Sequence, residues 1–272
     1  MLQVAILGAT GRMGQALLRL TASAADLECG GAATEPGHPL LGRDAHSGLG
    51  LDPAEVLLTD DPAAALAGCD VAIDFTLPAA APGNIAACIE AGLPLVMGTT
   101  GLGSEGRAAL EAAAGKIPVM YGRNMSLGIN LLTELVRLAA ATLGPEYDVE
   151  IVEAHHRQKV DAPSGTALQL GEAAAAARDQ RLDDVAVYGR HGETGARPPG
   201  AIGFSSLRAG SLAGDHRVLL AADEEILELG HHAVSRDVFA RGALQAARWL
   251  VAQPAGLYSM RNVLGLQAQR DA

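Results

Sequence analysis

Four apolar residues, Val4-Ala5-Ile6-Leu7, run directly into Gly8-Ala9-Thr10-Gly11-Arg12-Met13-Gly14, and this junction narrows the folds open to the chain more than any other stretch. A short strand that turns on glycines into a helix is the first half of a βαβ unit. Such units assemble into a parallel sheet covered by helices. The pattern recurs along the first 126 residues. Strand-like runs at 4–7, 27–33, 56–59, 71–75, 95–97 and 119–121 alternate with helical stretches at 13–22, 83–91 and 104–114. Gly92 closes the second of those helices.

After Asn124 the rhythm changes. A long amphipathic helix spans 128–143, a strand 147–154, and an Ala-rich helix 166–178. Three strand-like runs then follow at 202–207, 216–222 and 225–229, with short links. Strands gathered in this way predict an α+β second domain with an antiparallel or mixed sheet. Residues 190–200, rich in Gly, Pro and charge, read as a mobile loop. Ser235 is placed to cap a last helix over 236–251, halted before Pro254.

The glycine spacing G-x-x-G-x-x-G is a variant of the dinucleotide fingerprint. Glycines let the backbone approach a pyrophosphate, and the helix N-terminus supplies N–H groups and a favourable dipole. An acid at the expected remove strengthens the reading. Glu35 lies 21 residues beyond Gly14, after the second strand, where a carboxylate takes the adenosine ribose. The N-terminal domain is therefore read as α/β and Rossmann-type. Two later loops, Gly98-Thr99-Thr100-Gly101 and Gly122-Arg123-Asn124-Met125, each follow a strand. Both belong at the carboxyl edge of a parallel sheet, where ligands bind, and could flank a nicotinamide ring. An ordinary glycine turn that binds nothing is the plain alternative.

The second dense motif is Glu153-Ala154-His155-His156-Arg157-Gln158-Lys159-Val160-Asp161-Ala162-Pro163-Ser164-Gly165-Thr166. Five positions hold two imidazoles, a guanidinium and an ammonium in a chain of net charge −11. Of 20 basic residues only Lys116 and Lys159 are lysines. Arg does not release its proton in a protein, whereas a lysine pKa moves readily on burial, so Lys159 reads as a proton donor. Ser164 or Thr166 can cap the helix that follows, leaving the N–H groups of Gly165 and Thr166 for a carboxylate. Were the strand to continue, His155 and His156 would point to opposite faces and not share a metal. Elsewhere no Cys, His and carboxylate set has convincing ligand spacing, so no metal is expected. His231-His232 reads as structural or as an interface pair.

The acidic balance and the lack of a basic stripe exclude nucleic acid as a partner. Cys29, Cys69 and Cys88 make an odd number in apolar stretches and read as reduced core residues, which suits a cytosol. No apolar run is taken as long enough to span a membrane, and the chain enters a strand at once without a leader pattern. A cytoplasmic protein is the expectation.

Taken together, these residues resemble the 4-hydroxy-tetrahydrodipicolinate (dihydrodipicolinate) reductase family. The likeness runs through the glycine turn, Asp74-Phe75-Thr76, Gly98 to Gly101, Asn124-Met125-Ser126-Leu127-Gly128 and, most specifically, Glu153 to Thr166. It continues through Gly203-Phe204, Arg208-Ala209-Gly210, Gly214-Asp215-His216, Ser235-Arg236 and Gly256-Leu257-Tyr258-Ser259-Met260-Arg261. The resemblance implies a dinucleotide-binding domain over 1–126, with residues 236–272 packing back on it, and a substrate and oligomerisation domain over 127–235. It implies NADH or NADPH as cofactor, hydride transfer to a cyclic dicarboxylated imine, and tetrahydrodipicolinate as product in lysine and diaminopimelate biosynthesis. It implies a homotetramer built through the second sheet. His155 matches the family's proton donor or acceptor and Lys159 its proton donor. His156, Gly165 and Thr166 match substrate positions. Gly8, Ala9, Thr10, Gly11, Arg12, Met13, Glu35, Gly98, Thr99, Thr100, Gly122, Arg123, Asn124 and Met125 match cofactor positions.

The chain departs from that pattern where many relatives carry an Arg directly after the ribose acid. Pro36 stands there, although Arg12 remains within reach of a phosphate. The expectation is that NADH is used at least as well as NADPH. Arg123 and Met125 also replace smaller or aromatic residues. Two competing readings are another two-domain amino-acid dehydrogenase, of the aspartate or homoserine type, and a non-catalytic dinucleotide sensor. The His-His-Arg-x-Lys run argues against the first, and paired acid–base residues have no purpose in the second.

Overall fold

The computed structural model describes residues 1–266 of the chain. The remaining residues of the segment expected to pack back on the first domain, 267–272, lie outside the described ones. The chain divides into two compact units, one formed by residues 1–127 with the segment from Asp237 onward, the other by residues 128–236.

The first unit is a seven-stranded sheet with every pairing parallel, ordered β12-β6-β5-β4-β1-β2-β3. Its strands are β1 (Leu2–Leu7), β2 (Leu27–Ala33), β3 (Leu58–Thr59), β4 (Val71–Asp74), β5 (Leu95–Met97), β6 (Pro118–Tyr121) and β12 (Gly256–Tyr258). Between them run α1 (Arg12–Ala22), α2 (Pro62–Leu66), α3 (Ala81–Ala91) and α4 (Gly103–Ala114), with α8 (Asp237–Leu250) and α9 (Met260–Val263) from the C-terminal segment. The apolar run of β1 is continuous because both its faces are covered. Val4 and Ile6 pack into a core with α1 and α8, while Ala5 and Leu7 pack into a second core with α2, α3 and α4. The C-terminal segment thus supplies both a core helix and an edge strand. That strand, three residues of Gly-Leu-Tyr, is too short to carry a readable period.

The second unit holds α5 (Leu127–Leu143), which starts at the last residue of the first, then β7 (Asp148–His155), α6 (Gly165–Ala176) and α7 (Leu182–Val185). After these come β8 (Ala186–Tyr188), β9 (Ile202–Arg208), β10 (Asp215–Ala221) and β11 (Ile226–His232). The sheet is ordered β11-β10-β7-β9-β8. It is mixed: β9 runs parallel to β7 and β8, and β10 is antiparallel to β7 and β11. One face, carrying Val149, Ile151, Phe204, Val218 and Leu220, is buried under α5 and α6. The expected fold class, a parallel α/β domain plus an α+β domain with a mixed sheet, is the one found.

One expectation is corrected here. Residues 127–146 are, by length and composition, long and apolar enough to cross a membrane, with mean hydropathy 1.3. The sequence reading missed this because charged residues interrupt the run. The helix buries Ile129, Leu132, Val136 and Ala140 at helical spacing in the second unit's core and carries an Arg137–Glu134 ion pair, which is the pattern of a core helix. The loop over 190–200 carries two arginines that bond carboxylates of β7. Arg190 bonds both oxygens of Glu150 at 3.0 and 2.9 Å, and Arg197 reaches Glu150 at 3.0 Å and Asp148 at 2.6 Å.

Candidate active site

In the first unit the glycine turn is built by close approach. Gly8 has φ +84°, a left-handed conformation that L side chains rarely adopt, and a Cβ there would meet the Phe75 carbonyl at 3.0 Å. A Cβ on Gly14 would fall 2.1 Å from the Gly8 carbonyl oxygen, so only glycine lets α1 start this close to the strand. Gly11 is the N-cap of α1 and offers no side-chain cap. Its backbone N–H donates to the Gly8 carbonyl at 3.0 Å, and Arg12 and Met13 form the first turn. The Thr10 hydroxyl shares a 2.5 Å hydrogen bond with Thr34, whose hydroxyl donates to Glu35 at 2.9 Å. Hydrogen bonds from its own backbone and from Thr34 hold the Glu35 carboxyl below the usual carboxylate range.

These residues border a cavity of about 650 Å³ lined by Gly8, Gly11, Glu35, Pro36, Asp60 and Thr76 among others. Its lining contains two carboxylates and neither Lys nor Arg. Next to it, Asp74 is fully buried at the end of β4. One carboxylate oxygen accepts from the Thr76 N–H and hydroxyl at 2.7 Å each and from Thr99 at 3.0 Å; the other accepts from Asn84 at 2.8 Å. Asp74 thereby ties the loop after β4 to Gly98-Thr99-Thr100, the loop after β5. In the loop after β6, the Gly122 N–H donates to Met97 and the Asn124 side chain accepts from the Ser126 N–H at 2.9 Å. Met125 is different in kind. Its side chain is buried in the core, and its carbonyl lies where a Cβ on Gly242 would stand. The glycine cradle, the helix end and the ribose-placed acid fit a dinucleotide.

In the second unit the basic motif begins on the inward face of β7. The strand alternates, so Val149, Ile151, Glu153 and His155 all face the covered side. It ends at His155. His156 lies beyond it, with its N–H on the Leu212 carbonyl and its Nε2 3.0 Å from the Arg236 guanidinium. Lys159 bonds both carboxylate oxygens of Asp161, at 2.7 and 2.9 Å, and its hydrogen bond holds Asp161 below the usual carboxylate range. The Ala162–Pro163 peptide is cis. Ser164, not Thr166, caps α6: its Oγ accepts from the Ala167 N–H at 3.1 Å. Gly165 and Thr166 are then the first two residues of a twelve-residue helix, where N–H groups point outward.

Behind these residues is a buried polar cluster. Glu153, 1% exposed, accepts from Arg208 at both oxygens (2.8 Å each), from His155 Nδ1 at 2.5 Å and from the Ser164 N–H at 3.2 Å. Burial alone would push its carboxyl up, but the hydrogen bonds of Arg208, Ser206 and His155 outweigh that and hold it at about 2. His216, opposite Glu153 in the β7–β10 register, packs edge-on to His155 with ring centres 5.1 Å apart. Its Nε2 meets the Ser164 hydroxyl at 3.0 Å, and burial together with the neighbouring His155 pushes it down to about 4. Glu153, Arg208, His216, Asp74 and Asp60 were given no role from sequence. One signal was present for Glu153: a carboxylate in the inward register of an alternating strand has to be paired.

The chain is similar throughout to one family. The model of "Dihydrodipicolinate reductase, N-terminus" matches residues 2–125, and that of "Dihydrodipicolinate reductase, C-terminus" matches residues 128–264. A 4-hydroxy-tetrahydrodipicolinate reductase of Anaeromyxobacter sp. (strain Fw109-5) is 50% identical over 270 residues, covering 99% of this chain and 100% of that protein. Another, of Thiobacillus denitrificans, is 51% identical over 267 residues, covering 97% and 99%. Among solved structures, the dipicolinate-bound dihydrodipicolinate reductase of Paenisporosarcina sp. TG-14 has a TM-score of 0.74 at 25% identity, covering 95% of this chain and 97% of that one.

Proposed function

The chain belongs to the dihydrodipicolinate reductase family, and on that premise we propose how its two units divide the work of a 4-hydroxy-tetrahydrodipicolinate reductase, an oxidoreductase of diaminopimelate and lysine biosynthesis. The first unit holds NADH or NADPH, which supplies a hydride when bound. Gly8 to Met13 and the α1 N-terminus take the pyrophosphate, Glu35 takes the adenosine ribose, and the Gly98–Thr100 and Gly122–Met125 loops take the nicotinamide end. The cavity beside Glu35 supports NADH as a cofactor used at least as well as NADPH. A 2′-phosphate there would meet Glu35 and Asp60 with no Lys or Arg in the lining, and Pro36 fills the place of the usual Arg.

The second unit holds the dicarboxylate and manages protons. The observation that carries this is the placing of His155, Lys159 and the α6 N-terminus within one short segment. The outward N–H groups of Gly165 and Thr166 and the side chain of His156 receive carboxylates. Lys159 leaves Asp161 to give its proton to the reduced imine, and His155 serves as the second proton-transfer group. A dicarboxylate as substrate class is further supported by the relative bound to dipicolinate. We place the enzyme in the cytoplasm, as a homotetramer joined through the face of the second sheet that points away from α5 and α6. That face presents Leu207 and Ile226, 56% and 65% exposed.

The test couples the protein to fresh condensation product of pyruvate and aspartate semialdehyde and follows oxidation of the reduced nicotinamide by absorbance. Wild type turns over, and Lys159→Met loses about 100-fold or more in kcat while keeping NADH affinity. Full turnover in that variant removes Lys159 from the mechanism.

A further inference from the structure

We propose that Glu153, clamped by Arg208, is the positioning residue that sets the tautomer of His155, with the proton on Nδ1 and Nε2 offered to the substrate. The inference rests on the reading of His155 as a proton-transfer group and adds what makes it one.

Donor and acceptor counting drives the assignment. The ionised Glu153 carboxylate can only accept. Its Oε1 is met by Arg208 Nη2 at 2.8 Å and the Ser164 N–H at 3.2 Å, and its Oε2 by Arg208 Nη1 at 2.8 Å and His155 Nδ1 at 2.5 Å. A nitrogen held against such an oxygen must carry the proton. The guanidinium grips both oxygens in one plane, so the carboxylate cannot rotate away. The ring has little freedom of its own, since His216 packs edge-on at 5.1 Å and 74°. On its other side, a Cβ at Gly214 would stand 3.0 Å from Nε2, so glycine there keeps that nitrogen clear. The same carboxylate also receives the N–H of Ser164, the cap of α6. One buried anion therefore registers the imidazole and the carboxylate-binding helix end together.

The Ser206 hydroxyl also bonds this carboxylate, and it alone of the fixed partners can accept as well as donate. With Ser206→Ala beside Glu153→Gln, an NH₂ at the Oε1 place would face Arg208 and a backbone N–H, neither of which can accept. At the Oε2 place it faces Arg208 and His155, and only His155 can change, by moving its proton to Nε2. The double variant should therefore reverse the tautomer.

The experiment is ¹⁵N NMR of histidine-labelled, full-length protein at about pH 8.5, where an ordinary imidazole is neutral, together with steady-state kinetics. Wild type is expected to show Nδ1–H at His155. Glu153→Gln/Ser206→Ala is expected to show Nε2–H, with kcat lowered about 100-fold and KM for the dicarboxylate within a few-fold, and Ser206→Ala alone to keep Nδ1–H. Nε2–H in wild type overturns the proposal, and this reading needs no variant to fold. An unchanged tautomer in Glu153→Gln/Ser206→Ala, or a reversed one with undiminished kcat, overturns it as well. His155→Gln at full turnover would instead sink the acid–base role of His155 and leave the tautomer assignment standing.

Discussion

Lys159 and Glu153 sit six positions apart in one motif and show how unevenly single residues reveal themselves. Lys159 stood out because of its rarity in a chain that otherwise uses Arg, and the proton-donor role proposed for it starts from that. Glu153 was legible only as the first letter of the motif. Its function depends on Arg208, fifty-five positions later on a different strand, and no local pattern states that pairing. Cofactor choice also belongs to single residues. Glu35 and Pro36 were readable, whereas Asp60 joins them only through the fold. The expected outcome is kcat/KM for NADH at or above that for NADPH. Pro36→Arg should shift the ratio toward NADPH by about tenfold, since a guanidinium beside the 2′-phosphate adds a charge-assisted pair of about 1.4 kcal/mol or more. A strong NADPH preference in wild type would contradict this.

At the level of elements, long periodic stretches and the short buried strands β3, β4, β5 and β6 were read correctly in kind, and other short elements were missed. β1, α1, α5 and α8 announce themselves by apolar runs or helical spacing. α2, α7, β8 and β12 have five residues or fewer, and what holds them is pairing with neighbours distant in sequence. The loops at the carboxyl edge of the parallel sheet behave similarly. Their glycines were visible, but the strut between two of them is Asp74, which from sequence is one more acid at the end of a strand. Asp74→Ala removes a fully buried carboxylate and leaves Thr76, Asn84 and Thr99 without it. Fluorescence titration should show NADH affinity weakened about tenfold or more, and thermal unfolding a loss of about 2–4 kcal/mol. If the loops keep their cofactor affinity, Asp74 is not the strut that orders them.

For the molecule as a whole, α5 and α6 cover one face of the second sheet, and on the other only Asp148 and Glu150 are met by arginines of the 190–200 loop among the described residues. Register places Val152, Ala154, Leu207, Leu219 and Ile226 on the other side, away from α5 and α6. Asp148, Glu150, Arg217 and Glu228 share that side, so its apolar side chains form a patch among charges; leaving Leu207 and Ile226, 56% and 65% exposed, to water is costly, which is the physical ground for the proposed tetramer. Light scattering should return the mass of four chains, and Leu207→Arg should give smaller species because it sets a charge in that face. A wild-type monomer at micromolar concentration would defeat the proposal.

Residue order alone determined the class of each unit, the glycine turn, the acid after the second strand and the basic segment. All of these rest on interactions within a few positions: strand and helix periods, steric demands of a tight turn, the charge of neighbouring side chains. Tertiary structure alone decided which arginine neutralises Glu153, which histidine packs on His155, that Asp74 bridges two loops and that Met125 turns inward. Each is a contact between strands or loops far apart in the chain. Burial is what makes such contacts necessary, since a carboxylate out of water must find donors wherever the fold has brought them.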